Sequence, residues 1–239
     1  VSLPPDDALP PPPPPTGPRW LYLHGFASGP RSTKGLALAA HYAARGQHLE
    51  RLDLRLPSFE RLRLSAMLGA AQEAMGGPDE RAVLFGSSLG GLAAARVAER
   101  DARVCALVLL APAFRVVPQL RRRLGEEAWR RWQEEGWLET EDHAEKRTAR
   151  VDFGFVEDAL VVDAACGGWP DVRVPTLVVH GRADDTCDVA LSRRWAAGRR
   201  HVRLVEVDDG HELVASLPRI REEADAFLQN LLPPAPPPA

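Results

Sequence analysis

The sequence predicts an α/β fold: a mostly parallel central sheet with helices on both faces and one long helical insertion. Three observations carry this reading. Strand-like and helix-like segments alternate along the chain. The clearest strand-like run, 104–110 (VCALVLL), is apolar throughout, as a strand buried on both faces must be. The alternation breaks once, from about 114 to 168. There the chain turns charged and carries Trp129, Trp132 and Trp137, with Trp169 close by, before the pattern resumes.

The elements follow in order. Residues 19–23 (RWLYL) form a short apolar strand that ends in His24-Gly25. Residues 36–44 are rich in Ala and Leu and read as helix, and 49–54 alternates apolar with polar, as a strand does. Residues 59–75 have helical spacing and stop at the breaker Gly76-Gly77-Pro78. Residues 82–85 are strand-like and 89–100 form a helix of small residues before the strand 104–110. After the break come a strand at 174–179, a helix at 189–197, a strand at 202–207 and a closing helix at 213–231. Insertions of this size between a strand and the next βα unit commonly form lids over sites. Within it, 139–142 (ETED) reads as a surface loop, and 151–155 as a short return strand or lid edge. Trp129 and Trp132 share one helix face. They are expected to pack the lid against the body, with one or two tryptophans also touching substrate.

Composition bounds the function. A chain of 239 residues fits one domain, and nine of its 22 prolines fall in residues 1–18 and five in 233–239. Both ends therefore read as Pro-rich disordered segments flanking a single domain at 19–232. The net charge of −3 argues against a nucleic-acid binder. No apolar run approaches a membrane span. Residues 1–18 lack a charged n-region and an apolar h-region, although the chain opens at Val1 and a preceding targeting peptide stays open. Cys105, Cys166 and Cys187 make no disulfide framework, which fits a reducing cytoplasm. Neither zinc-ligand spacing nor a G-x-G-x-x-G loop is present, so no cofactor is expected.

The most informative stretch is Gly86-Ser87-Ser88-Leu89-Gly90-Gly91, which places G-x-S-x-G between a strand and a helix. A nucleophile elbow requires that setting, because the serine sits in a turn too tight for bulky neighbours. Ser87 is the rival; spacing to both glycines favours Ser88. A serine hydroxyl needs a base, and the base needs an orienting acid. Asp184 follows the strand at 174–179 and His211 follows the strand at 202–207, which gives the order Ser, Asp, His. Asp185 and Asp188 compete with Asp184. Among seven histidines, His24 and His180 precede glycines and read as turn-shaping, while His41, His48, His143 and His201 lie outside any motif. The N–H groups of Phe26, in the loop after the first strand, and of Leu89 are candidates for an oxyanion hole.

His24-Gly25-Phe26, the Gly86–Gly91 block, His180-Gly181-Arg182-Ala183-Asp184 and Gly210-His211 together resemble the signature loops of the α/β-hydrolase superfamily. Within it, residues 24–34 (HGFASGPRSTK) and GSSLGG are similar to the small YqiA-like serine esterases, although the insertion of about 55 residues is longer than expected there. The resemblance implies Ser88 as nucleophile, Asp184 as acid, His211 as base, and the Phe26 and Leu89 amides as oxyanion donors. It also implies a hydrolase of small-molecule carboxylic esters. A thioesterase, acyltransferase or peptidase on the same triad is the alternative, and a non-catalytic binding protein of the same fold a third. Arg121-Arg122-Arg123 is the conspicuous candidate for a phosphate-bearing leaving group, against a solvated helix face balanced by Glu126, Glu127, Glu134 and Glu135.

Overall fold

The computed structural model describes residues 17–164 and 168–229. The readings at residues 1–16 and 230–239, and at Cys166, lie outside the described residues.

The chain runs β1 (Arg19–Leu23), α1 (Thr33–Ala43), β2 (Leu49–Arg51), α2 (Leu64–Ala74), β3 (Ala82–Ser87), α3 (Leu89–Arg100) and β4 (Val104–Leu110). The insertion contributes α4 (Val116–Glu135), β5 (Trp137–Asp142), β6 (Arg147–Asp152) and α5 (Gly154–Ala164). The closing part is β7 (Thr176–Gly181), α6 (Val189–Ala196), β8 (Val202–Val207) and α7 (Leu217–Leu228). Six strands form one parallel sheet in the order β2-β1-β3-β4-β7-β8. The chain adds β2 on one side of β1 and β3 on the other. The order therefore reverses between β1 and β3, and a crevice opens there beyond the carboxyl ends of the strands.

The period-two alternation of a strand sends its side chains to two cores. Leu21, Leu23 and Leu84 pack on one face with residues of α2 and α3. Trp20, Tyr22, Val83 and Phe85 pack on the other with α1 and α7, through Leu38, Tyr42, Ile220 and Leu228. β3 and β7 are buried at every residue, as expected of strands covered on both faces.

Several boundaries move, each for a physical reason. β2 ends at Arg51 rather than 54: Leu52 and Leu54 stay buried, but the Leu54 N–H leaves the ladder and donates to His24 Nε2 at 3.0 Å. The first turn expected at 59–63 is irregular chain. Phe59 and Leu62 are buried there without a helix, and α2 begins only after Arg63, whose backbone is extended. α7 starts at Leu217, with Pro218 in its first turn, because Leu213 has a left-handed φ of 53° that no helix accepts.

The insertion is less helical than the sequence suggested. Residues 139–142 are not a surface loop but part of β5, which pairs antiparallel with β6. Asp142 is fully buried, and its carboxylate receives Arg55 at 2.6 Å. α4 kinks at Gly125, whose φ of 76° and ψ of 164° suit glycine. Trp129 and Trp132 are buried against Phe153, and the Trp132 indole donates to the Val151 carbonyl at 2.9 Å. Among the described residues, no helix is long and apolar enough to cross a membrane.

Candidate active site

Four loops meet at the carboxyl edge of the sheet, after β1, β3, β7 and β8. Ser88 occupies the β3–α3 turn with φ 54° and ψ −118°, a conformation costing an L residue roughly 1–3 kcal/mol. The surroundings hold it there. Ser88 N–H donates to the Leu110 carbonyl at 2.9 Å, and its own carbonyl accepts from Gly91, Leu92 and Ala113 at 2.9, 3.1 and 3.0 Å. The glycines give the turn its clearance. A Cβ on Gly86 would collide with the Gly90 carbonyl, and one on Gly90 with the carbonyls of Leu23 and His24. All of these obstacles are backbone and cannot rotate away. Gly90→Ala is therefore expected to destabilise the fold by about 1–3 kcal/mol or more by overpacking. A chain of this length should then melt several degrees lower; an unchanged melting temperature would refute the argument.

The structure brings together the three residues singled out for chemistry. His211 Nε2 lies 3.0 Å from Ser88 Oγ, and His211 Nδ1 lies 2.8 Å from Asp184 Oδ2. Asp185 and Asp188 do not share this geometry: Asp185 takes the Thr186 hydroxyl, and Asp188 caps α6 through the Ala190 N–H. Ser87 ends β3, buried, and its side chain makes no hydrogen bond to a histidine among the described residues.

The side chain of Asp184 is fully buried. Burial alone would raise its pKa, but hydrogen bonds from His180, His211 and the Cys187 N–H outweigh it and hold the carboxyl well below the usual carboxylate range. Oδ1 accepts from the amides of Cys187 and Thr186 at 2.7 and 2.9 Å. His180 does more than shape a turn. Its Nε2 lies 2.9 Å from the Cys187 carbonyl and 3.1 Å from Asp184 Oδ2, while Nδ1 faces the Ser192 hydroxyl at 2.8 Å. His24 keeps to a structural part: with Nε2 accepting from Leu54 N–H, its Nδ1 donates to the Gly25 carbonyl at 2.9 Å. Burial lowers its pKa.

Cys187 Sγ lies 4.0 Å from Ser88 Oγ. Burial, aided by the nearby Asp184 charge, pushes this thiol up to about 12, so it stays protonated beside the serine. The amides of Phe26 and Leu89 donate to no protein acceptor among the described residues. Leu89 opens α3, where no intrahelical partner exists.

Ser88 and His211 border a cavity of about 1180 Å³. α4, the β5–β6 turn and α5 wall it with Leu120, Arg123, His143, Lys146 and Phe155. None of the four tryptophans lines it, so the expectation that one or two would touch substrate is corrected. Trp129 and Trp132 pack on each other and on Phe153, Trp137 lies against Arg150, and Trp169 packs on Phe114; the aromatic lining of the cavity is Tyr22, Phe26 and Phe155. Of the three consecutive arginines, Arg121 pairs with Glu126 at 2.6 Å and Arg122 lies 3.6 Å from Asp188. Only Arg123 of these reaches the cavity. Sequence reasoning passed over two further residues. His143 lines the cavity because the hairpin turn delivers it there, its N–H held by the Ala27 carbonyl at 2.9 Å. Gln119 ties α4 to the acid loop, donating to the Phe114 carbonyl at 2.6 Å and accepting from Asp188 N–H at 2.8 Å. Periodicity could have placed neither.

A parallel sheet of this order, with an elbow serine after β3, an acid after β7, a histidine after β8 and an insertion after β4, defines the α/β-hydrolase fold. Solved structures agree. A protein of Agrobacterium vitis S4 assigned as a hydrolase superposes with a TM-score of 0.73 at 24% identity, covering 88% of each chain. Est1E of Butyrivibrio proteoclasticus, solved with ferulic acid bound, gives 0.72 at 20% identity over 90% of this chain and 89% of its own. A Xanthomonas campestris pv. campestris protein assigned to the α/β superfamily of hydrolases gives 0.56 at 28% identity over 90% and 99%. No curated protein matches the sequence. The chain belongs to the uncharacterised protein family UPF0227, whose family model matches residues 19–228.

Proposed function

We propose that the protein is a serine hydrolase that cleaves carboxylic esters through an acyl-enzyme. Ser88 Oγ attacks the carbonyl carbon as His211 Nε2 takes its proton. The amides of Phe26 and Leu89 receive the developing oxyanion. The alcohol leaves with the proton from His211, and water activated by the same ring releases the acid. Asp184 keeps the imidazole in the tautomer with Nδ1 protonated. The 114–168 insertion acts as a lid, and the enzyme works in the cytoplasm, a setting in keeping with a chain of only three cysteines.

The observation that carries this reading is the unbroken hydrogen-bonded line from Asp184 through His211 to a strained serine on the cavity wall. Labelling with a fluorophosphonate probe, read by intact mass and peptide mapping, tests it. One adduct at Ser88 is expected. No adduct on folded protein would sink the reading. A p-nitrophenyl ester series of increasing chain length then sizes the pocket.

A second reading, a thioesterase acting on an anionic thioester, has one observation in its favour. Arg31, Arg123 and Lys146 line the cavity and make no ion pair among the described residues. Parallel assays of a neutral thioester and one with a carboxylate on the leaving group decide between them. A preference of tenfold or less for the anionic thioester would leave the plain ester reading in place.

A further inference from the structure

The segment 24–34 contributes Phe26 to the proposed oxyanion hole, yet its last residue, Lys34, has no part in the chemistry above. Lys34 is 7% exposed, an unusual burial for a lysine. Its Nζ donates to the main-chain carbonyl of Glu212 at 2.8 Å and lies 3.4 Å from the Glu212 carboxylate. Glu212 directly follows His211. The next residue, Leu213, is fully buried with a left-handed φ of 53°, a rare conformation for a bulky side chain. The peptide between Glu212 and Leu213 is thus strained and gripped by a buried ammonium. Elsewhere the same loop is held by Asp209, whose carbonyl accepts from Ala183 N–H at 3.1 Å and whose carboxylate accepts from Ser216 N–H at 2.9 Å.

We propose that Lys34 is a positioning residue for His211: it clamps the base loop to the loop that carries the oxyanion amide and sets a positive charge among Asp184, Asp209 and Glu212, the carboxylates on the loops that hold the imidazole. The proposal rests on the triad reading. The clamp joins residues 178 positions apart, so no local interaction can replace it. The charged groups around the base loop come from several elements. Asp184 sits on the β7–α6 loop, with His180 behind it. Asp209 and Glu212 lie on the base loop, and Lys34 stands on α1. Arg31 and Arg123 lie further along the cavity wall, and Tyr22 and Cys187 stay neutral. Burial lowers the Lys34 pKa, while Glu212, Asp184 and Asp209 pull it back up.

The test is Lys34→Met, which keeps the apolar stem, beside Lys34→Arg, wild type and Ser88→Ala. Each is assayed with p-nitrophenyl acetate from pH 5 to 9 and with the fluorophosphonate. Lys34→Met is expected to lose about 10–100-fold in kcat from the displaced base, with KM within about twofold of wild type. The acid limb of its pH profile should move upward by about half a unit or more, because losing a cation favours the imidazolium. Lys34→Arg keeps the charge, so its acid limb should stay with wild type while kcat recovers in part. A wild-type kcat and profile in Lys34→Met would overturn the proposal. So would a loss of kcat that comes with lower melting temperature and an unmoved acid limb. If Lys34→Met does not fold, a shifted acid limb in Lys34→Arg overturns it equally. Wild type that fails to label removes the triad reading and this proposal together. Labelled wild type, unlabelled Ser88→Ala and an unaltered Lys34→Met remove only this proposal.

Discussion

Ser88→Ala is expected to yield a folded protein whose kcat for simple esters has fallen by roughly 10⁴-fold or more. Only the hydroxyl is removed. Its contacts are His211 at 3.0 Å and Cys187 at 4.0 Å, so nothing in the core depends on it. Alanine meets the same φ of 54°, so the strain of the turn is retained and the melting temperature should move by less than about 1 kcal/mol in equivalent stability. The adjacent hydroxyl gives the contrast. Ser87→Ala alters a buried strand end away from the imidazole and should keep activity within about tenfold. Side-by-side kinetics decide the matter. Equal losses at both serines, or a Ser88→Ala enzyme retaining more than about a hundredth of its rate, would remove Ser88 from the nucleophile's place.

Asp184→Asn is expected to damage both catalysis and stability. The carboxylate accepts from His211, from His180 and from two main-chain amides. Carboxamide geometry is similar, but one oxygen becomes an NH₂ donor. Facing His211, that donor selects the wrong tautomer and should lower kcat by about 10⁴-fold. Facing the amides of Thr186 and Cys187, it leaves buried donors opposed, at about 1–3 kcal/mol. The acid limb of stability should change as well. In the wild type the folded pKa of Asp184 lies below its unfolded value near 3.8. Its stabilisation is therefore complete above that value and lost as pH falls through the folded pKa, so its share of acid unfolding lies below about pH 4. Urea titrations of both proteins between pH 2 and 6 read this directly. Parallel stability curves for wild type and variant across that range would contradict it.

Much of this arrangement is legible in the sequence because it depends on backbone geometry. β4 is apolar at every position and β3 and β7 carry unbroken apolar runs, as strands of a sheet covered on both faces do. Gly86 and Gly90 flank Ser88 because a Cβ there strikes main chain, so the turn is written in the residue types themselves. The order of Ser88, Asp184 and His211 is legible because each follows the end of a strand-like run.

What stayed hidden depends on partners far away in sequence. The run 139–142 looks like a solvated loop because three of its four residues are acidic. Asp142 is nonetheless buried, since Arg55 comes from 87 positions upstream to neutralise it. Phe59 and Leu62 gave helical spacing because both are buried, although the chain around them is irregular. His180 looked like a turn residue from its neighbour Gly181. Its role beside Asp184 appears only when Ser192 and the Cys187 carbonyl orient the ring. Lys34 sat in a recognised stretch, yet its meaning lay in a carbonyl at Glu212.

The sheet order has a consequence for synthesis. β1, β3 and β4, with the elbow serine, are complete by residue 110, whereas His211, the proposed base, arrives on the loop beyond β8. Domains fold as their residues emerge, at about 5–20 residues per second. For the seconds in which the ribosome translates residues 111–211, a nascent chain holds its serine with no base beside it. On the proposed function, chains interrupted before that loop carry an inert hydroxyl. On the same reading, the reactive group is armed last, after all six strands of the parallel sheet have been made.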